Sequence, residues 1–409
     1  MDQQGQDAPC PRVWLTNRIS AGMKLGLENC DEMLKRLGNP QNCFTSIHVA
    51  GTNGKGSLCA NLSALASKND LLVGFFSSPH LITVEERIRV DGRPLNPKIF
   101  DKYLFSVLEA SLIKPNIEPT FFETTFLISM LAFSEAKIDI AIIETGLGGR
   151  LDATRLVNAS VCAITTISYD HSEILGNSLV EIAKEKAAIY RPDKLLFSLY
   201  HSDIEVRKVF ENIAGKDLKW FKPNSNNGWD ISKEYAMTIA LHLGWTIKEY
   251  EISWPGRSPN AIEWIPGIKS IVSAAHNFES IKNDLEIVNG EYLMLLGMTG
   301  KSNLNEILSA FNKSSNCLYS IITEPSGGRN LATPSEVIIA KLKKLGYHEI
   351  EAQNNPIRAF KQLELRAKKL NSQVLIIGSI YLIGEIMNYI IKRDKLNLYD
   401  LLIIHPPSK

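Results

Sequence analysis

The sequence predicts an α/β protein of two domains, and three observations carry that reading. Short apolar runs of strand length alternate with longer segments of helical pattern along most of the chain. Strands alternating with helices imply a parallel sheet covered on both faces. A break with two prolines and a glycine, Ser253–Asn260 (SWPGRSPN), interrupts the alternation, which then resumes. The chain has 409 residues, of which 44% are hydrophobic and 22% charged. At roughly 150 residues per domain this allows two or three folded units with real cores and argues against disorder.

Taken in order, Phe44–Ala50 (FTSIHVA) reads as a strand, Ser57–Lys68 as a helix and Leu71–Phe76 as a strand. Pro97–Ser111 and Thr124–Lys137 read as helices, and Ile138–Glu144 (IDIAIIE) and Val161–Ser168 as strands. Leu179–Ala188 is a helix. Beyond the break, Ser270–Ala274, Tyr292–Leu296, Leu318–Thr323 and Val374–Gly378 read as strands with helices between them. The apolar run Val374–Ile391 contains Glu385, Asn388 and two glycines, so it reads as a buried strand entering a helix rather than a membrane span.

Lys plus Arg number 45 and Asp plus Glu 44, a formal net charge of +1. Such a chain has no global electrostatic attraction to nucleic acid or to an acidic membrane, so any polyanion must be met at a local site. The six cysteines (Cys10, Cys30, Cys43, Cys59, Cys162, Cys317) are scattered without a CxxC pair. Reduced thiols in a cytoplasmic protein are the simpler reading. The polar segment Met1–Pro11 resembles neither a signal nor a transit peptide.

The segment with most chemistry is His48–Ser57, HVAGTNGKGS, between an apolar strand and a helix. Glycines let backbone N–H groups curl around phosphate oxygens, and the helix adds its positive N-terminal end. Gly51, Thr52, Asn53, Gly54, Lys55, Gly56 and Ser57 are therefore candidate ATP contacts, with Lys55 on the β/γ-phosphates and the Ser57 hydroxyl on Mg²⁺. The strict Walker pattern fails, because Val49 stands where a glycine belongs and Gly56 separates Lys55 from Ser57. A glycine-rich strand–helix turn is the competing reading. In Ile140–Thr154 (IAIIETGLGGRLDAT) an apolar strand delivers Glu144 at its carboxyl end, the position of a Walker-B-like metal ligand or of a solvated strand end.

GTNGKGS, together with KLGLENCDEMLKRLGNP (Lys24–Pro40), FSSPHL (Phe76–Leu81), the ETGLGGRLDAT run and SYDHSEILGNSLVEIAKEKAAIYR (Ser168–Arg191), closely resembles the folylpolyglutamate synthase and dihydrofolate synthase family of the Mur ligase superfamily. The resemblance runs from about Lys24 to Arg191. It returns at Trp254–Arg257, Ala275–Asn277, Arg329–Pro334 and Gly378–Glu385.

The resemblance implies an N-terminal Mur-ligase-like P-loop domain with a parallel sheet over residues 1–253, and a C-terminal Rossmann-like α/β domain over 254–409. It implies a first Mg²⁺ held by Ser57, Ser78 and Glu144, and a second with His171 and Lys186 as ligands. Lys186 would act as a carbamate, because a free ammonium repels Mg²⁺ whereas a carbamate offers anionic oxygen. Lys184 competes for that role, but the EKA match selects Lys186. The catalytic set is then Lys55, Glu144, His171 and Lys186. Arg257, His276 and Asn277 would reach ATP from the second domain. Thr120, Phe122 and Asp152 would line a pterin pocket, although on their own the aromatics of TFFE read as core.

The implied activity is an ADP-forming ligase of a monomeric cytoplasmic protein. It would use ATP to join L-glutamate to a carboxylate of dihydropteroate or folate through an acyl phosphate. Two alternatives stand beside it: a Mur-type ligase for another acceptor, and a relative that binds nucleotide or folate without ligating. Departures motivate the second. The family's DGAHN begins here as Ser273-Ala274, and its acidic DKD-type segment is Gly300-Lys301-Ser302. Its HQxxN helix start is Ser232-Lys233-Glu234-Tyr235, and the asparagine after LDAT is Arg155.

Overall fold

The computed structural model describes residues 10–20, 22, 26–257, 262–300, 303–313, 316–327 and 331–408. Lys24, Lys301, Ser302 and Arg329 lie outside the described residues, as does the end of the Ser253–Asn260 break. The first sheet holds β1 (Thr45–Ala50), β2 (Val73–Phe76), β3 (Ile88–Val90), β4 (Arg93–Pro94), β5 (Ile140–Glu144), β6 (Ala159–Ile164), β7 (Leu195–Leu199) and β8 (Leu218–Phe221). Their order across the sheet is β4-β3-β2-β5-β1-β6-β7-β8. The second sheet holds β9 (Ser270–Ser273), β10 (Tyr292–Gly297), β11 (Cys317–Thr323), β12 (Ile350–Ala352) and β13 (Gln373–Ile377), in the order β12-β11-β10-β13-β9. Pairing is parallel throughout except for β2–β3 and β3–β4.

Side chains alternate across each sheet as the pleat requires. Along β5, Ile140 and Ile142 enter one core and Ala141 and Ile143 the other. Along β10, Leu293 and Leu295 face away from Met294 and Leu296. Each sheet is therefore covered on both faces, as the alternation predicts. The exception is the edge hairpin β3–β4, which corrects the expectation of a wholly parallel first sheet. Asp91 and Gly92 at its turn have φ of 50° and 77°, the pattern of a type I′ turn that folds a chain straight back on itself.

Two boundary shifts matter for the site. The helix after β1 begins at Lys55, not Ser57, with Gly54 before it at φ 82°. The helix expected from Thr124 begins at Phe121, because Thr120 and Glu123 form a capping box.

The described chain ends by returning to the first sheet. Leu402 lies in a core of the second sheet and Ile404 in a core of the first. The Ile404 N–H donates to the Gly92 carbonyl (3.0 Å), and the Ile404 carbonyl accepts from the Ser253 N–H (2.9 Å). His405 Nε2 pairs with Ser63 Oγ at 2.8 Å. Residues 402–408 thus strap the segment between the sheets onto the first one.

Candidate active site

The carboxyl ends of β5, β1 and β6 lie side by side, with Glu144 level with Val49 and Ile164 level with Ala50. The phosphate loop leaves β1 at this edge. Thr52 N–H donates to the Thr166 carbonyl (2.7 Å) and Asn53 N–H to Thr166 Oγ1 (2.9 Å). Thr52 Oγ1 donates to the Ser168 carbonyl and accepts from the Ser168 N–H, both at 3.1 Å. Gly51 (φ 142°) has no room for a side chain, since a Cβ there would sit 1.8 Å from Thr165 Oγ1. The loop is thus shaped by the segment after β6, whose Thr165, Thr166 and Ser168 were not among the expected site residues.

Two ammonium groups converge on this loop. Lys55 Nζ donates to the carbonyls of Gly51 (3.1 Å) and Thr52 (3.2 Å). Lys186 Nζ, nearly buried, donates to the same Gly51 carbonyl at 2.8 Å. Burial, reinforced by the charge of Lys55, brings the Lys186 pKa down to about 7. Asp152 and Asp170 act in the opposite sense.

Glu144 is also buried, and one of its oxygens accepts the Ser78 N–H at 3.1 Å. Burial holds its carboxyl above the usual carboxylate range, opposed chiefly by Arg257 and Lys55. All three meet at the first turn of the phosphate-loop helix. A Cβ on Gly56 would lie 3.2 Å from Arg257 Nη1 and 3.5 Å from Glu144 Oε2. Ser57 follows, half-buried. No group of three His, Cys, Asp or Glu side chains able to hold a metal occurs among the described residues. An ion at Glu144 would therefore draw on hydroxyl, water and phosphate oxygens, which is the ligand habit of Mg²⁺. Ser57 and Ser78 fit that donor set.

His171 stands further out. Its side chain is 44% exposed, with Nε2 3.9 Å from Asp170 and Nδ1 3.7 Å from Glu173. It lines a cavity of about 360 Å³ with Asn177, Asn303 and Glu306. His276 Nε2 approaches the other Asp170 oxygen at 3.9 Å. Asp170, visible in the sequence only as the partner of His171 in DH, is thus the residue between the two histidines. Asn277 makes a direct bridge between the two halves. Its amide donates to Asn53 Oδ1 (2.8 Å) and accepts from Asn53 Nδ2 (3.3 Å).

The expected pterin residues are occupied structurally. Thr120 caps its helix, and its side chain accepts from the Glu123 N–H. The Phe122 ring packs on Gly146, where a Cβ would come within 2.6 Å, and meets Phe76 edge-on. Asp152 is buried and raised in pKa by that burial. Its oxygens accept from Leu147 N–H (2.8 Å), Thr154 N–H (3.0 Å) and the Thr154 hydroxyl. His48 Nε2 pairs with the same hydroxyl at 2.8 Å. Asp152 therefore fixes the Gly146–Gly149 turn. The departures also have local partners: Ser273 Oγ accepts the Ala275 N–H, Glu234 accepts the Asn224 N–H, and Arg155 donates to the Ala188 carbonyl.

The profile of the Mur ligase middle domain matches residues 49–258, from the phosphate loop to Arg257 and beyond. The chain belongs to the Mur ligase family. This Mur ligase chain is 39% identical over 196 residues to the dihydrofolate synthase/folylpolyglutamate synthase of Bacillus subtilis, which covers 46% of this chain and 44% of that protein. It is 27% identical over 395 residues to the protein of that name from Buchnera aphidicola (Acyrthosiphon pisum), covering 87% and 92%. The chain thus spans less than half of the Bacillus subtilis relative at the higher identity. Among solved structures, a folylpolyglutamate synthase of Mycobacterium tuberculosis complexed with ADP and AMPPCP superposes with TM-score 0.80 at 21% identity, covering 94% of this chain and 99% of that one. Escherichia coli FolC in complex with DHPP and ADP gives 0.79 at 24%, covering 96% and 100%. At those identities the likeness is one of fold, here extending over both sheets.

Proposed function

We propose that this Mur ligase chain is an ADP-forming ligase that joins L-glutamate to a carboxylate of dihydropteroate or a folate. The carrying observation is the meeting of Lys55, Glu144 and Arg257 at the first turn of a phosphate-loop helix. The names of the relatives support the substrate class. A bifunctional folylpolyglutamate synthase/dihydrofolate synthase of this fold has been solved with Mn, AMPPNP and L-glutamate bound (TM-score 0.77, 23% identity, covering 95% of this chain and 100% of that one), which supports ATP and a divalent cation as companions.

In this reading the loop amides and Lys55 hold the β- and γ-phosphates, and Arg257 approaches from the segment between the sheets. Mg²⁺, held by Ser57, Ser78 and Glu144, would neutralise phosphate charge, and a second ion would use His171 and a carbamylated Lys186. The acceptor carboxylate attacks the γ-phosphorus and displaces ADP, giving an acyl phosphate. The glutamate amine then adds to the acyl carbon, and phosphate leaves as the amide forms. Lys55 and Arg257 are fixed cations where charge moves, so little reorganisation is needed as it does.

Near neutral pH a lysine of pKa about 7 is neutral in a substantial fraction of molecules, where an ordinary lysine is almost wholly charged, and only the neutral amine adds carbon dioxide. That chemistry supports the carbamate. The two sheets, one on each side of Ser253/Trp254, support domains of 1–253 and 254–409. We place the enzyme in the cytoplasm as a monomer.

The deciding experiment measures ADP release with Mg²⁺, ATP, L-glutamate and either dihydropteroate or tetrahydrofolate. Release that needs both acceptor and glutamate supports the proposal, and the ratio of the two acceptors separates dihydrofolate synthase from folylpolyglutamate synthase. Release independent of both rejects it. Nucleotide binding without turnover on any acceptor favours the non-ligating alternative.

A further inference from the structure

Of the segment Trp254-Pro255-Gly256-Arg257, the ligase reading uses only the arginine. The other three residues form a device of their own. The Arg257 N–H donates to the Trp254 carbonyl at 2.9 Å, and Gly256 sits at φ 71°. With proline second and a positive-φ glycine third, this is the pattern of a type II β-turn, whose dihedrals leave the fourth residue little freedom relative to the first. A Cβ on Gly256 would come 2.9 Å from Ile383 of the helix after β13, so the outer side of the turn is seated on the second sheet's layer.

The inner side is seated on the first. The Trp254 ring is 3% exposed and meets Phe75 of β2 edge-on, with centroids 5.6 Å apart at 85°. Two guanidinium groups lie against the indole, Arg89 at 5.1 Å and Arg257 at 5.0 Å from the ring centre. Arg89 is fully buried. It is tethered to Ser77 Oγ (3.3 Å), to the Leu402 carbonyl (3.5 Å) and to the Glu86 carbonyl. A buried cation with that many anchors has one position, and the indole is packed against it. The indole rim also lies 3.4 Å from where a Gly56 Cβ would be, next to Arg257 Nη1 at 3.2 Å from the same point.

We propose that Trp254 is a positioning residue for Arg257. Its indole is a rigid wall, held in place by Phe75 and Arg89, that sets the guanidinium beside Glu144 and Gly56 before any ligand arrives. A long arginine side chain otherwise loses about 2 kcal/mol of rotamer freedom when a ligand recruits it. Held against the ring, it has already lost most of that freedom. The inference deepens the ligase reading and rests on it for the assignment of Arg257 to the nucleotide.

A double-mutant cycle on AMPPNP affinity in Mg²⁺, read by calorimetry with Tm recorded for every variant, tests it. Trp254→Leu should weaken AMPPNP about fivefold to tenfold through loss of the ring. Trp254→Phe, which keeps a smaller ring, should recover part of that loss. In an Arg257→Ala background, Trp254→Leu should change affinity less than about twofold, because the positioned group is gone. An equal loss in both backgrounds, or no loss in a folded Trp254→Leu protein, overturns the proposal. A crystal structure of Trp254→Leu gives an answer independent of nucleotide: a guanidinium displaced from Glu144 supports the proposal and an unmoved one overturns it. Should the wild-type protein bind no AMPPNP, the nucleotide reading fails, and the crystal comparison alone decides the role of Trp254.

Discussion

Lys186 Nζ donates to the Gly51 carbonyl at 2.8 Å, and Lys55 Nζ donates to that same oxygen at 3.1 Å. Two cations sharing one acceptor repel each other, and the buried one gives up its charge more readily. The phosphate loop is therefore coupled to the protonation state of a lysine 135 positions away in sequence.

Lys186 predicts a pH dependence of both activity and stability. Its folded pKa, about 7, lies below the ordinary lysine value of 10.5. Between those values the unfolded chain binds the extra proton, so stability rises with pH across that window, and below pH 7 the cost of burying the ammonium is present in full. Activity should fall as pH drops through 7, since the protonated amine does not form a carbamate. Lys186→Ala should lose about 100-fold in turnover or more, judged from what metal-site partners are worth, with partial recovery in acetate. Unchanged turnover in that variant removes the carbamate.

Glu144→Gln separates function from stability. The folded carboxyl titrates above its ordinary value because it is buried, so its burden on stability is absent in acid and grows as pH rises from the unfolded to the folded pKa. The neutral amide should leave Tm at neutral pH equal to or above that of the wild type. Turnover should drop about 100-fold, with a raised Mg²⁺ requirement. A lower Tm with normal Mg²⁺ dependence would assign Glu144 to structure alone.

Asn277 does two things at once. Its side-chain oxygen accepts the Ser280 N–H (3.0 Å) as a helix cap, and its amide nitrogen reaches Asn53. Asn277→Asp keeps the cap and loses the donor, so stability should change by only a few tenths of a kcal/mol while nucleotide affinity weakens. Asn277→Ala removes both and should cost about 1 kcal/mol as well. Chemical denaturation with calorimetry of AMPPNP binding separates the two effects.

Gly384 lies where a Cβ would come 2.3 Å from the Leu81 carbonyl. Gly384→Ala should therefore displace the loop after β2, whose Ser78 N–H binds Glu144, at a cost of about 1–3 kcal/mol. A titration of Mg²⁺ against ADP release should show a weakened ion response in a protein that still folds. A normal response would uncouple the second sheet from Ser78.

Much of this was legible in the sequence because the chemistry sits at strand ends. GTNGKGS after an apolar run located the phosphate loop, and IAIIE located Glu144. The β3–β4 hairpin is not legible beyond the turn signal of Asp91-Gly92, because strands of three and two residues are too short to show an alternating pattern. Asp170 carried no signal beyond its neighbour. Its place between His171 and His276 arises from a contact across 106 positions. Asp152 illustrates the reverse. The family resemblance implies a ligand contact there, and the fold shows its oxygens engaged by the turn it stabilises. Trp254 reads as one more aromatic until Arg89 and Arg257 are seen against its ring.

The strap of residues 402–408 bears on how the chain is made. Ile404 completes a core that β1, β2 and β5 begin, and His405 closes on Ser63 some 340 residues upstream. A ribosome delivers those parts more than 300 residues apart. The first-sheet half therefore waits, missing the Ile404 and His405 side chains and two backbone hydrogen bonds, until residues 402–408 have emerged. The last packing step of the first sheet then follows synthesis of the whole second sheet.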